Sequence, residues 1–117
     1  MTTKQIANRL VSLCKKGEFQ QCYQELYSPE IQSVEADGSS HVGFAALAQK
    51  GKEWNAGIKK VHKSEIGSPI VSGNHFSLPM NMRITFKGAQ KPVNFDEICV
   101  YQVKDGKIVK EQFFYDN

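Results

Sequence analysis

No apolar run in the chain approaches the roughly 20 residues that a bilayer-spanning helix needs. Charge of either sign is also weak: 15 Lys and Arg stand against 12 Asp and Glu, a net +3. The basic residues are scattered, with Lys15-Lys16, Lys59-Lys60 and Lys104/Lys107/Lys110 in separate segments beside acids. A solvated surface explains them better than a nucleic-acid footprint. Cysteines number only 3, Cys14, Cys22 and Cys99, with no CxxC spacing. They are expected as free thiols in a reducing, cytoplasmic setting rather than as disulfides. His41, His62 and His75 stand alone, so no metal site is expected. The opening "MTTKQIANRL" is polar and amphipathic, unlike a secretory leader. "GSPIVSGN" has small residues but no helix start behind it, which leaves no phosphate cradle. No cofactor is expected.

What is present is an ordinary globular composition, 40% hydrophobic and 23% charged in 117 residues. That suits one domain over 1–117 with one core. Ile6, Leu10, Leu13 and Cys14 share a helical face that Thr2 or Thr3 can cap, and Gly17 ends it. Phe19, Cys22, Tyr23, Leu26 and Tyr27 repeat the pattern up to Ser28-Pro29, giving an αα-hairpin. "IQSVEA" reads as a short strand ended by Asp37-Gly38 and a Ser-rich turn. A third helix is expected from about Phe44 to Val61, with Phe44, Leu47, Trp54, Ile58 and Val61 on its apolar stripe.

From His62 the period becomes two. Pro69 interrupts the first of these strands, placing it at an edge or bulge, and Gly73-Asn74 makes a hairpin turn. "HFSLPMNMRITF" alternates apolar Phe76, Leu78, Met80, Met82, Ile84 and Phe86 with polar neighbours. "KPVNFDEICVYQV" and "KIVKEQFFYD" close a last hairpin around Asp105-Gly106. The resulting order, ααβαββββ, is α+β, with helices on one face of a curved antiparallel or mixed sheet.

These elements carry a resemblance. Paired helices ending in "LYSPE", a short strand, "GFAAL" opening a long helix, and the closing "VYQVKDGKIVKEQFFYD" are similar to the SnoaL-like group of the nuclear transport factor 2-like superfamily. The resemblance covers essentially the whole chain. It implies a cone-shaped sheet closed by three helices, with an apolar cavity at its mouth. Relatives include ketosteroid isomerase, polyketide cyclases, limonene-epoxide hydrolase, dehydratases and a protein-binding transport factor, so the fold alone assigns no activity.

A two-residue loop at Asp105-Gly106 sets Lys104 opposite Lys107. An unbroken ladder then pairs Val103 with Ile108, Tyr101 with Lys110, Cys99 with Gln112 and Glu97 with Phe114 on one face. The other face would carry Ile98, Val100, Val109, Glu111, Phe113 and Tyr115. Both faces are rich in apolar groups, which predicts that the back meets a second copy of the chain. The first face is expected to line the cone, presenting Glu97, Cys99, Tyr101, Gln112 and Phe114, with Trp54, Met80 and Met82 as further wall. A carboxyl in an apolar cone resists ionisation and can exchange protons near neutrality. Glu97 is the first candidate for that role; the plain alternative is a carboxyl hydrogen-bonded to Gln112 or Tyr23. The resemblance adds Asp116, which stands where the cyclases carry an acid–base Asp after a "GKI…D" strand. Their accompanying strand histidine has no counterpart here, and Glu35 and Asp37 only bracket the isomerases' position. Tyr23 and Tyr27 could polarise a ligand oxygen, although packing explains such a pair as well.

Three functions follow: a cofactor-free isomerase, cyclase, dehydratase or hydrolase acting on a small apolar molecule; a non-catalytic ligand-binding module; and, last, a protein-interaction adaptor.

Overall fold

A computed structural model describes residues 1–116. Helix α1 (Thr3–Lys15) begins at a capping box in which Thr2 and Gln5 bond one another's backbone N–H groups. Its face of Ile6, Ala7, Leu10 and Leu13 is buried. Helix α2 (Phe19–Leu26) returns beside it, and the Arg9 guanidinium makes a two-pronged contact with Glu25 across the pair.

The strands are β1 (Tyr27–Val34), β2 (Ser40–Val42), β3 (Ile58–Ile66), β4 (Ile70–Ser72), β5 (His75–Phe86), β6 (Val93–Lys104) and β7 (Lys107–Phe114), with α3 (Phe44–Ala56) between β2 and β3. They form one mixed sheet in the order β2-β1-β7-β6-β5-β3, with β4 also on β5; β1 and β7 run parallel. The α+β cone architecture is that expected. Its core joins α1 and α2 to the sheet through Ile6, Leu10, Leu26, Ile31, Leu78 and Ile108, all 0–1% exposed. Burial of each such side chain contributes on the order of 1.5–3 kcal/mol.

Four differences from the sequence reading matter. Helix α3 ends at Gly57, and Ile58 and Val61 belong to β3 rather than to a helical stripe. Two register shifts in the β3–β5 ladder, after Ile58 and after Val61, break the period-two signal there and leave an i, i+3 spacing that imitates a helix. Second, the "LYSPE" end of α2 is extended: Tyr27 opens β1, so Tyr23 and Tyr27 lie on different elements. Third, the Ser-rich segment supplies β2. The Gly67–Pro69 break is as expected, and it leaves β3 and β4 on successive parts of β5.

The fourth lies in the closing hairpin. Its turn has the anticipated form, with Asp105 and Gly106 at φ 52° and 76° and Lys104 opposite Lys107. Val103 pairs with Ile108, but Gln102 then pairs with Lys110, so Val109 is a β-bulge. One extra residue reverses the facing of everything beyond it. Tyr101 pairs with Glu111, Cys99 with Phe113 and Ile98 with Phe114. Glu111, Phe113 and Tyr115 therefore turn toward the cavity, and Gln112 and Phe114 away from it. On β6 the expected facing holds: Glu97, Cys99 and Tyr101 share its inward side, joined by Phe95.

Candidate functional site

A cavity of about 520 Å³ opens between the sheet and the helices. Alternate residues of β5, β6 and β7 supply its floor, because one face of a strand repeats every second residue. Tyr101 and Glu111 form a deep end, Glu97, Met80 and Phe113 a middle, and Phe95, Met82 and Trp54 the mouth. Helix α3 forms the opposite wall with Leu47, Lys50, Gly51, Glu53 and Trp54. Only Leu47 of this helix is buried, so its apolar stripe serves the cavity more than the core. A shallower groove runs over the outer end of the sheet, and Glu97 and Met80 border both spaces.

The deep end holds a cluster of polar groups. The Tyr27 hydroxyl donates to Glu111 Oε2 at 2.7 Å, with both residues buried. Ser33, paired with Glu111 across the β1–β7 ladder, is 0% exposed. Lys50 Nζ reaches from α3 to Ser33 Oγ at 3.0 Å and pairs with Glu35. The same ammonium sits 4.3 Å over the Phe113 ring. Burial pushes the Glu111 carboxyl above the ordinary carboxylate range, opposed by the bond from Tyr27 and the charge of Lys50. Burial also drives the Tyr27 and Tyr101 hydroxyls well up, so both remain neutral.

Glu97 differs in kind. Its nearest polar partner is the Cys99 thiol, 3.6 Å from Oε1, a weak donor. Burial raises its pKa above the usual carboxylate value, opposed by the Cys99 contact and by Lys50. It bonds neither Gln112 nor Tyr23 among the described residues. Tyr23 lines the same cavity, and its hydroxyl, pushed up to about 12 by burial, is engaged by no other side chain among the described residues. It can therefore offer a proton to a ligand oxygen without ionising.

Of the residues singled out from sequence, the cavity brings together Glu97, Tyr23, Tyr27, Trp54, Met80, Met82 and Tyr101. Cys99 faces the same way but is 0% exposed beneath the lining. Three are misplaced. Gln112 and Phe114 face outward because of the Val109 bulge, Phe114 being 48% exposed in the outer groove. Asp116 lies beyond the end of β7, exposed and outside the cavity wall. The cyclase-type acid–base position is thus not carried into this cavity. Conversely, Glu111, Phe113 and Tyr115, assigned to the back face, line it. One signal could have shown this. An unbroken ladder would have set Lys110 against Tyr101 inside an apolar cone, whereas the bulge exchanges that lysine for a carboxyl with a hydroxyl partner. Cys14, Cys22 and Cys99 are free thiols. No group of His, Cys, Asp and Glu is arranged for metal among the described residues.

Helices closing an open, curved mixed sheet over such a cavity define the nuclear transport factor 2-like class. The chain belongs to the SnoaL-like domain family, whose profile matches residues 1–115. Among solved structures, a protein of Mesorhizobium loti designated a SnoaL-like polyketide cyclase is 32% identical, with a TM-score of 0.90 over 98% of this chain and 100% of that one. A nuclear transport factor 2-like protein of Burkholderia thailandensis superposes with TM-score 0.86 at 14% identity, covering 99% and 92% of the two chains. A SnoaL-like polyketide cyclase homologue of Jannaschia, 13% identical, does so at 0.81 over 98% and 87%. At those lower identities the likeness is one of fold. No curated protein matches the sequence. No helix among the described residues is long and apolar enough to cross a membrane.

Proposed function

We propose that this protein binds a small, largely apolar molecule in the cone and exchanges a proton with it through Glu97, as a cofactor-independent isomerase, cyclase or dehydratase would. The observation carrying this reading is a half-buried carboxyl on the cavity wall with only a thiol for a polar partner. A structural carboxyl is normally satisfied, as Glu111 is by Tyr27. Glu97 is partly withdrawn from water and takes no strong hydrogen bond from the protein, which suits a proton carrier. Tyr23 stands ready to donate to a developing oxyanion, and Met80 and Met82 give a deformable apolar wall.

The test is exchange of α-hydrogens on 2-tetralone, a bicyclic ketone of suitable size, followed by NMR in heavy water. The wild type should accelerate exchange over buffer, and Glu97→Gln should remove about a hundredfold of that acceleration without lowering the melting temperature. Binding of the ketone without exchange would turn the reading to a non-catalytic ligand-binding module. Failure of both would end it.

The proposal includes a homodimer through the back of the sheet. Ile98 and Phe114, cross-strand partners there, are 51% and 48% exposed, with Val100 beside them. Phe113 does not contribute, since it packs inside. Two large apolar side chains exposed on the back of the sheet are costly in water and suit a self-complementary contact. Light scattering should give twice the 13.2 kDa chain mass, falling to one chain in Ile98→Lys. A monomeric wild type would refute it.

A further inference from the structure

The cavity's charge and its rings specify a narrower ligand than "small and apolar". Four carboxyl side chains line it, Glu35, Glu53, Glu97 and Glu111, against the single ammonium of Lys50. Lys50 is already committed to Glu35 and Ser33, so no cation remains on the wall to receive an anionic ligand. The mouth is aromatic. Phe95 lies 6.2 Å from Trp54 and 5.9 Å from Tyr115 between ring centroids, in edge-on arrangements that turn ring faces in different directions. Trp54 remains 43% exposed. Glu97 stands two residues from Phe95 on the same side of β6. Further in, the protein sets its own ammonium over an aromatic face, Lys50 on Phe113 at 4.3 Å.

From this arrangement we infer that the ligand is an apolar molecule carrying a cationic amine, whose ammonium lies among Trp54, Phe95 and Tyr115 beside the Glu97 carboxylate. The physics is that of ring quadrupoles and a desolvated anion acting together. An alkylated ammonium loses little hydration on entering such a site and gains both attractions. A neutral analogue of the same shape gains only the apolar contact. An anion finds no free cation among the lining residues.

The inference rests on the cavity being a ligand site, and it supplies a missing part of that reading. Burial raises the pKa of Glu97 and so works against the carboxylate, the form that accepts a proton. A bound cation nearby favours the carboxylate, so the ligand itself would hold the base in its working form.

Equilibrium dialysis of the full chain against three probes tests it: (2-naphthylmethyl)trimethylammonium, its uncharged isostere 2-neopentylnaphthalene, and 2-naphthylacetate. The cation should bind about tenfold more tightly than the isostere, and the acetate least. Glu97→Gln should erase most of that preference without weakening the isostere. Phe95→Leu, which keeps an apolar side chain, should reduce it several-fold and serves if the first variant folds poorly. An isostere bound as tightly as the cation overturns the inference while leaving the cavity's role intact. Binding of none of the three overturns both.

Discussion

Inserting one alanine between Lys110 and Glu111 should cost this protein about 4 kcal/mol or more of stability, far beyond the effect of one small residue added to a loop. The reason is register. Val109 is the extra residue that lets Gln102 pair with Lys110 although Val103 pairs with Ile108. With that bulge kept, the added alanine would take the place opposite Tyr101, itself 3% exposed, and every residue after it would turn to the other face. Glu111 would leave the core, and the Tyr27 hydroxyl would lose its acceptor. The β1–β7 ladder is disturbed at the same place, with Tyr27 opposite Ile108 and Gln32 opposite Lys110, so the insertion would strain two interfaces. Chemical denaturation followed by tryptophan fluorescence reads this directly. Val109→Ala keeps the bulge and should cost about 1 kcal/mol or less. Equal, small effects from both changes would mean that the register beyond the bulge does not hold β7 in place.

That bulge also marks where the sequence stops being legible. Alternation along β5 and β6 is clean, and it correctly turns Phe76, Leu78, Met80, Glu97 and Tyr101 inward. The Asp105-Gly106 turn is equally local, because two residues at positive φ are what such a loop demands. The Thr2 cap and the face of α1 likewise depend only on near neighbours. A bulge depends on what two strands gain by shifting, here a carboxyl in place of a lysine beneath Tyr27. Nothing at Val109 itself announces it. The same applies to β3, where two register shifts convert an edge strand into an apparent helical stripe. Trp54 and Glu97 could be placed on the cavity because each lies on a regular element. Gln112, Phe114 and Asp116 could not, because each lies beyond an irregularity or beyond the strand's end.

The two inward carboxyls, Glu97 and Glu111, sit on the cone for different physical reasons, and pH separates them. Glu111→Ala should destabilise the fold by about 3 kcal/mol, since it leaves a buried hydroxyl without its acceptor and a void. Tyr27→Phe should cost about 1.5–3 kcal/mol, and the double variant less than the sum, because both remove one bond. Glu111→Gln keeps an acceptor for Tyr27 and isolates the charge. Burial raises the pKa of both carboxyls in the folded protein, so the native state holds protons that the unfolded chain has released. Stability then falls as pH rises from the unfolded carboxylate value, roughly 4.3, to the folded one, and is level above it. Each unit of upward shift corresponds to about 1.4 kcal/mol. Urea midpoints between pH 4 and pH 8 should therefore decline in the wild type, decline less in Glu97→Gln or Glu111→Gln, and nearly level in the double variant. For Glu97 a ligand adds a second reading: a bound cation should remove its share of the decline, whereas the contribution of Glu111, tied to Tyr27, should persist. A midpoint that rises with pH would mean that the carboxylate form is the one the cone favours, and Glu97 would then be a fixed anion rather than a proton carrier.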